Sequence, residues 1–156
     1  MAIEIDLRIA SQDWVSKVPA LLPTCQRALQ AGMDVIGSRQ DACVDVLLTT
    51  DAEMQELNTK WRQKTKPTDV LSFPADGNQG PFLGDIAVGL GVASRDAAQK
   101  DKSLSAHLSH LLIHGLLHLL GHDHIEDGQA KVMEALEGAA LSKIGYDNPY
   151  SQTAPN

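Results

Sequence analysis

Residues 114–124 read HGLLHLLGHDH. Four of those eleven positions are histidine, in a chain with six histidines altogether. On a helix at about 100° per residue, His107, His110, His114 and His118 fall on one stripe about 80° wide. Leu112, Ile113, Leu116 and Leu120 take the opposite side, so this helix reads as buried with a polar seam. His114 and His118 stand about 6 Å apart along the axis, a spacing at which two imidazoles can hold one cation. Gly121 offers a residue tolerant of left-handed backbone where the helix must end. Three residues later His124 can swing back to supply a third nitrogen. The pattern HxxxHxxGxxH therefore specifies a three-nitrogen metal site whose fourth position is left to water or substrate, as in catalytic zinc centres. His122 points away from such a cluster if His124 turns in. His110 and His107 lie further up the seam, and Asp123 either orients a ligand or makes the turn.

One residue narrows the chemistry. Zinc proteases of the HExxH type place a glutamate after the first histidine as general base. Here that position is Gly115, so the metal is retained without the peptide-cleaving machinery. A second feature is KWRQKTK at residues 60–66, with four of the chain's thirteen basic residues in seven positions. Beside Trp61 it reads either as a phosphate-binding spot or as a helix C-terminus where the dipole favours cations, with Trp61 packed inside. Cys25 and Cys43 form no CxxC motif and read as small buried residues of a reducing compartment.

The elements that must position these groups follow from periodicity. Ile3, Ile5, Leu7 and Ile9 alternate with charged residues, giving a half-buried strand. A helical stretch follows between Asp13 and Ala31, with Pro19 and Pro23 blurring its start and Gly32 as its stop. Cys43–Thr49 is a second strand, and Thr50-Asp51-Ala52-Glu53 has the form of a capping box opening a helix with Met54, Leu57 and Trp61 at helical spacing. Thr68–Pro74 and Gly84–Leu90 are strands around a loop at 75–81. They are adjacent and expected to pair antiparallel. Ser94 is a cap for a short helix to Gln99, and Ser103 or Ser105 for the next, to about Leu120. A last helix runs from Asp127 to Lys143 with Val132, Met133, Leu136 and Ala140 on one side and Gly145 as its end. The order implies α+β: a small mixed four-stranded sheet with about five helices packed on it and the metal site at the end of a buried helix.

Bulk properties agree. With 156 residues, 43% apolar and 21% charged, the chain is expected to form one domain over residues 1–148 with a flexible tail at 149–156. No apolar run approaches the ~20 residues of a membrane span. MAIEIDLRIA carries acidic residues where a signal peptide needs basic ones, so a cytoplasmic protein is expected. A net charge of -7 argues against indiscriminate coating of nucleic acid and leaves room for a local basic site.

HGLLHLLGHDH, together with KPTDVLSFP at 66–74, LGDIAVG at 83–89 and LNTKWR at 57–62, resembles the YbeY family of bacterial endoribonucleases. The resemblance covers the chain from about Val44 to Tyr150, with four motifs in order. One departure is His122, where the family usually has tyrosine. The resemblance implies a zinc-dependent endoribonuclease selective for single strands, acting in maturation of ribosomal RNA, notably the small-subunit 3′ end, and in ribosome quality control. By that match His114, His118 and His124 ligate one zinc ion per chain and Arg62 is the functionally important arginine. Single-stranded and ribosomal RNA and the ribosome or its proteins are the implied partners, rather than DNA or membrane. The general base stays open among His110, Asp85 and Asp123, and a substrate 2′-hydroxyl could serve as nucleophile in place of water. Two other readings stay open: a non-enzymatic ribosome-assembly factor pinned by its metal, and a metal-dependent hydrolase of another substrate.

Overall fold

The computed structural model describes residues 3–38, 40–64, 68–76 and 80–150. Along the chain these form β1 (Ile3–Ile9), α1 (Asp13–Lys17), α2 (Leu21–Ile36), β2 (Ala42–Thr49), α3 (Asp51–Arg62), β3 (Val70–Pro74), β4 (Phe82–Gly89), α4 (Leu90–Gln99), α5 (Leu104–Leu119) and α6 (Asp127–Lys143). The sheet order is β1-β2-β4-β3. The first three strands in that order run parallel, and β3 pairs antiparallel with β4 at the edge. Parallel neighbours need crossovers, which α1 with α2 supplies between β1 and β2, and α3 with β3 between β2 and β4. The mixed α+β architecture and the β3–β4 pair match what the sequence implies.

Strand alternation divides the sheet into two unequal faces. Val44, Val46 and Leu48 of β2 and Ile86 and Val88 of β4 join the main core with α2, α5 and α6. On the other face α3 contributes Met54, which packs on Leu71 and Ala87. The centre of the main core is α5, where Leu108, Leu112, Ile113, Leu116 and Leu117 are fully buried. Each such side chain contributes roughly 1.5–3 kcal/mol of apolar burial.

Two glycines set how closely α5 lies on its neighbours. A Cβ at Gly32 of α2 would stand 2.8 Å from Leu116 Cδ2. Gly32 is thus a close-packing position inside α2 rather than its stop. The helix continues to Ile36 and ends at Gly37, in left-handed backbone at φ 73°. A Cβ at Gly115 would stand 3.0 Å from Ile86 Cγ2 and 3.1 Å from Ser72 Oγ, and the Ser72 hydroxyl donates to the Gly115 carbonyl at 3.3 Å. The face of α5 one residue beyond His114 therefore rests on the sheet.

Other expectations are revised by packing. The stretch from Asp13 divides into α1 and α2, separated by Ala20 at φ 49°. α4 begins directly after β4 with Gly89 as N-cap, so Ser94 sits within the helix and caps nothing. Ser103 does cap α5, accepting from the Ala106 amide at 3.1 Å. At α3 only one arm of the capping box forms: Thr50 accepts from the Glu53 amide, while the Glu53 carboxylate bonds the Thr49 hydroxyl. α6 turns Met133, Glu137, Ala140 and Leu141 inward and leaves Val132 54% exposed. Trp61 is 60% exposed rather than packed inside. α3 packs on that sheet face through Met54 and Leu57, and at its last turn the ring has Phe73 as an edge-on neighbour, 6.1 Å between centroids. Of the tail, residues 151–156 lie outside the described residues. So do residues 65–67, with Lys66 of the basic stretch. No helix among the described residues is long and apolar enough to cross a membrane.

The contact at Gly115 generates a test. Gly115→Glu would drive a carboxylate into the sheet rather than restore a protease base. We expect it to cost more than about 3 kcal/mol in urea unfolding; a loss below 1 kcal/mol would show that α5 does not bear on Ile86 and Ser72.

Candidate metal centre and its cleft

The last turn of α5 ends in a reciprocal pair of backbone bonds. The Gly121 amide donates to the His118 carbonyl at 3.0 Å and the His122 amide to the Leu117 carbonyl at 2.9 Å. This is the Schellman arrangement, which requires left-handed backbone at the residue between, and Gly121 supplies it at φ 95°. The turn brings His124 back beside the helix. Asp123 Oδ1 accepts from the His124 amide at 2.7 Å, so Asp123 is the turn-making residue of the alternatives considered.

Three imidazoles meet there. Ring centroids lie 4.6 Å apart for His114 and His118, 5.3 Å for His114 and His124, and 5.1 Å for His118 and His124. One nitrogen from each lies within 4.8 Å of the others. The Nε2 atoms of His114 and His118 face each other at 3.1 Å, close to the ~3.3 Å edge of a tetrahedron with metal–nitrogen bonds of about 2.05 Å. The His118 ring is held by the His122 backbone. Its pKa is pushed down by burial, then by the charges of His114 and His124, which favours the neutral form a ligand must have. His122 is half-buried and is not part of the cluster.

A carboxylate that the sequence reading did not single out fixes His114. Glu137 of α6 is 1% exposed. Its Oε2 lies 2.6 Å from His114 Nδ1, and its Oε1 lies 2.6 Å from both His110 Nε2 and the Tyr150 hydroxyl. Burial alone would push this carboxyl up. Hydrogen bonds from His110, His114 and Tyr150 outweigh it and bring the pKa down to about 2. An ionised partner on Nδ1 keeps the proton there and turns the Nε2 lone pair toward the cluster. The signal for Glu137 was present in the helical period, since it falls on the same face as Met133 and Ala140. A carboxylate on an apolar stripe calls for a partner.

The cluster opens onto a cleft of about 550 Å³. Its lining includes Arg62, Asp69, Ser72, Asp123 and the three clustered histidines. Arg62 is the last residue of α3, followed by Gln63 in left-handed backbone at φ 58°. It is exposed and forms no ion pair among the described residues. Neither His110 nor Asp85 lines this cleft. His110 is engaged with Glu137, and Asp85 borders the hollow beneath Trp61 on the opposite sheet face. Of the three groups weighed as general base, the fold brings only Asp123 to the site. Cys25 is buried, which pushes its thiol up to about 12. Both cysteines are free.

The arrangement can hold one transition-metal ion and present it to an anionic substrate beside the Arg62 guanidinium. Comparison with known proteins places the chain more closely. The family model described as Endoribonuclease YbeY matches residues 8–145. A relative named Endoribonuclease YbeY from Stutzerimonas stutzeri is 42% identical, covering 98% of this chain and 94% of its own. One from Rhizobium meliloti is 38% identical with 99% of each covered, and one from Pseudomonas fluorescens is 41% identical, covering 96% and 97%. The solution structure of TM1509 from Thermotoga maritima shares the fold, with TM-score 0.57 and 24% identity over 91% of each chain. With the fold, the histidine cluster and near full-length similarity in agreement, the chain belongs to the YbeY family of endoribonucleases.

Proposed function

We propose that the protein is a zinc-dependent endoribonuclease that cuts single-stranded RNA, holding one zinc ion on His114, His118 and His124 and using Arg62 on the scissile phosphate. We place its work in the cytoplasm, at the 3′ end of small-subunit ribosomal RNA and in ribosome quality control, on the ribosome and not on DNA, as one catalytic domain over residues 1–148. The observation that carries the reading is the convergence of three imidazole nitrogens on an open cleft lined by an arginine that forms no ion pair among the described residues. Family membership supports the RNA substrate.

Bound there, zinc supplies Lewis acidity that polarises a phosphoryl oxygen and acidifies water. The protein's own groups do the rest. Glu137 holds the His114 ring in its ligating tautomer. Arg62 offers a fork of N–H donors to a non-bridging oxygen and offsets charge that builds in the transition state. β3 is one edge of the sheet, and its residues Val70, Leu71 and Ser72 form one wall along which an extended strand can lie. Asp123 is the carboxylate within reach of a proton from the nucleophile. A 2′-hydroxyl of the RNA is an alternative nucleophile that needs no water.

Three outcomes test this account. Incubated with single-stranded and duplex RNA, zinc-loaded protein should cleave the single strand, and chelated protein should cleave neither; binding without cleavage under both conditions would favour an assembly factor. Arg62→Glu should keep its fold and zinc, read by circular dichroism and metal analysis, while cleavage drops at least ~100-fold; unchanged cleavage removes Arg62 from the mechanism. Glu137→Gln should weaken zinc affinity about 10–100-fold, and cleavage should recover as zinc is raised. If affinity is unaltered, the carboxylate does not act on His114.

A further inference from the structure

Higher on the same helix stands a second cluster that the proposed reaction does not use. His107 is 1% exposed, and neither of its ring nitrogens has a hydrogen-bond partner among the described residues. A buried imidazole with both nitrogens unpaired costs free energy that native structures rarely leave unmet. One of those nitrogens lies, with a carboxylate oxygen from each of Asp69 and Asp96, in a group whose ligand atoms are all within 4.8 Å of one another. The three residues come from different elements: Asp69 precedes β3, Asp96 is on α4 and His107 is on α5.

We propose that Asp69, Asp96 and His107 form a second divalent-cation site, distinct from the histidine cluster and suited to an ion of the Mn2+ class. Two carboxylates and one imidazole make an oxygen-rich set with a single nitrogen, which suits Mn2+ or Fe2+ better than Ca2+ or Mg2+. A divalent ion balances the two carboxylates and gives His107 the partner it lacks. Protein cations fill this role only in part, since Lys100 and then Arg95 act on Asp96 through space and lower its pKa, against the larger upward push of burial and Asp69, without direct ion pairing. Arg95 is paired with Asp51 at 3.1 Å, and Lys100 forms no ion pair with Asp69 or Asp96 among the described residues. The electrostatics agree: burial, then facing Asp69, pushes the Asp96 carboxyl up, as expected of two carboxylates sharing space without a cation. Burial, then Lys100, takes His107 down to about 4, so at neutral pH it carries a lone pair and no charge.

His107 and His114 are seven residues apart, about 10 Å along the helix axis. The two sites therefore do not form the 3.5–4 Å metal pair of two-metal nucleases. The second ion acts instead on the cleft wall. Asp69 lines the cleft. It is already oriented by its backbone, since its Oδ1 accepts from the Val70 amide at 2.8 Å and its carbonyl from the Gly89 amide at 2.9 Å. An ion there ties the entry of β3 to α4 and α5 and stiffens the wall against which the substrate lies.

The test uses full-length zinc-loaded protein dialysed against millimolar MnCl2, with both metals counted per chain. The expected result is one Mn2+ in addition to zinc, nitrogen hyperfine coupling in the pulsed EPR of the bound Mn2+, and a melting temperature raised by several degrees. His107→Gln should abolish the coupling. His107→Gln and Asp96→Asn should each cut Mn2+ binding at least tenfold and leave zinc content and secondary structure unchanged. His118→Ala should lose zinc and keep Mn2+, which separates this site from the proposed catalytic one. Should His107→Gln not fold, Asp96→Asn decides alone. Wild-type protein that takes up no Mn2+, or uptake that survives Asp96→Asn, overturns the assignment.

Discussion

A single buried carboxylate organises the site. Taking an ion such as Glu137 out of water costs several kcal/mol, and the protein offsets that cost with three hydrogen bonds at 2.6 Å from three places in the chain. Two come from α5 and one from Tyr150, beyond α6. Because the charge cannot be left unmet, those groups cannot drift independently. The same bonds that make burial tolerable fix the His114 ring and pull the C-terminal segment onto the helix pair. Burial also works on the tyrosine, whose pKa is pushed up by desolvation and then by its bond to Glu137. The phenol therefore stays protonated, and remains a donor, across the working range.

α5 has two jobs that usually compete. It is the most buried helix of the fold and also the carrier of the metal ligands. The conflict is resolved by direction. Gly115 faces the sheet and Leu116 faces α2, at Gly32, so apolar packing occupies two sides of the last turns. His114 and His118 look out through the remaining side to the cleft. Packing this tight leaves the helix little freedom to rotate, which aims the imidazoles before Glu137 and the His122 backbone fix the rings of His114 and His118.

Much of this was legible in the sequence because it depends on local spacing. HxxxHxxG constrains two side chains to one helical face and ends the helix at a defined residue, so the cluster follows from helix geometry and one glycine. Strand alternation likewise gave β1, and short apolar runs gave the other three strands. What resisted reading depends on contacts between distant segments. Gly32 has the appearance of a stop in isolation, and only the approach of Leu116, eighty-four residues later, makes it a packing position. Trp61 has the spacing of a core residue, but whether a ring is covered depends on how many layers lie over that face. Glu137 carried a usable signal, a carboxylate on an apolar stripe, yet its partners on α5 and at Tyr150 could be known only from the fold.

The remaining problem is how a chain of charge -7 engages a polyanion as we propose. Long-range attraction is weak or adverse, so binding must come from groups held close to the phosphate, where the local field outweighs the distant one once separation exceeds a Debye length of about 8 Å. Arg62 ends α3 beside exposed Trp61, and the Lys60 ammonium stands 5.2 Å from that ring's centroid. That cation–aromatic pair lies at the end of α3 outside the lining of the metal cleft, which only Arg62 of the three reaches, and offers a small surface on which a base can stack whatever its sequence. A footprint this small recruits few phosphates and therefore releases few counterions, so affinity should fall only gently with salt. An enzyme with that profile does not scan RNA by electrostatics.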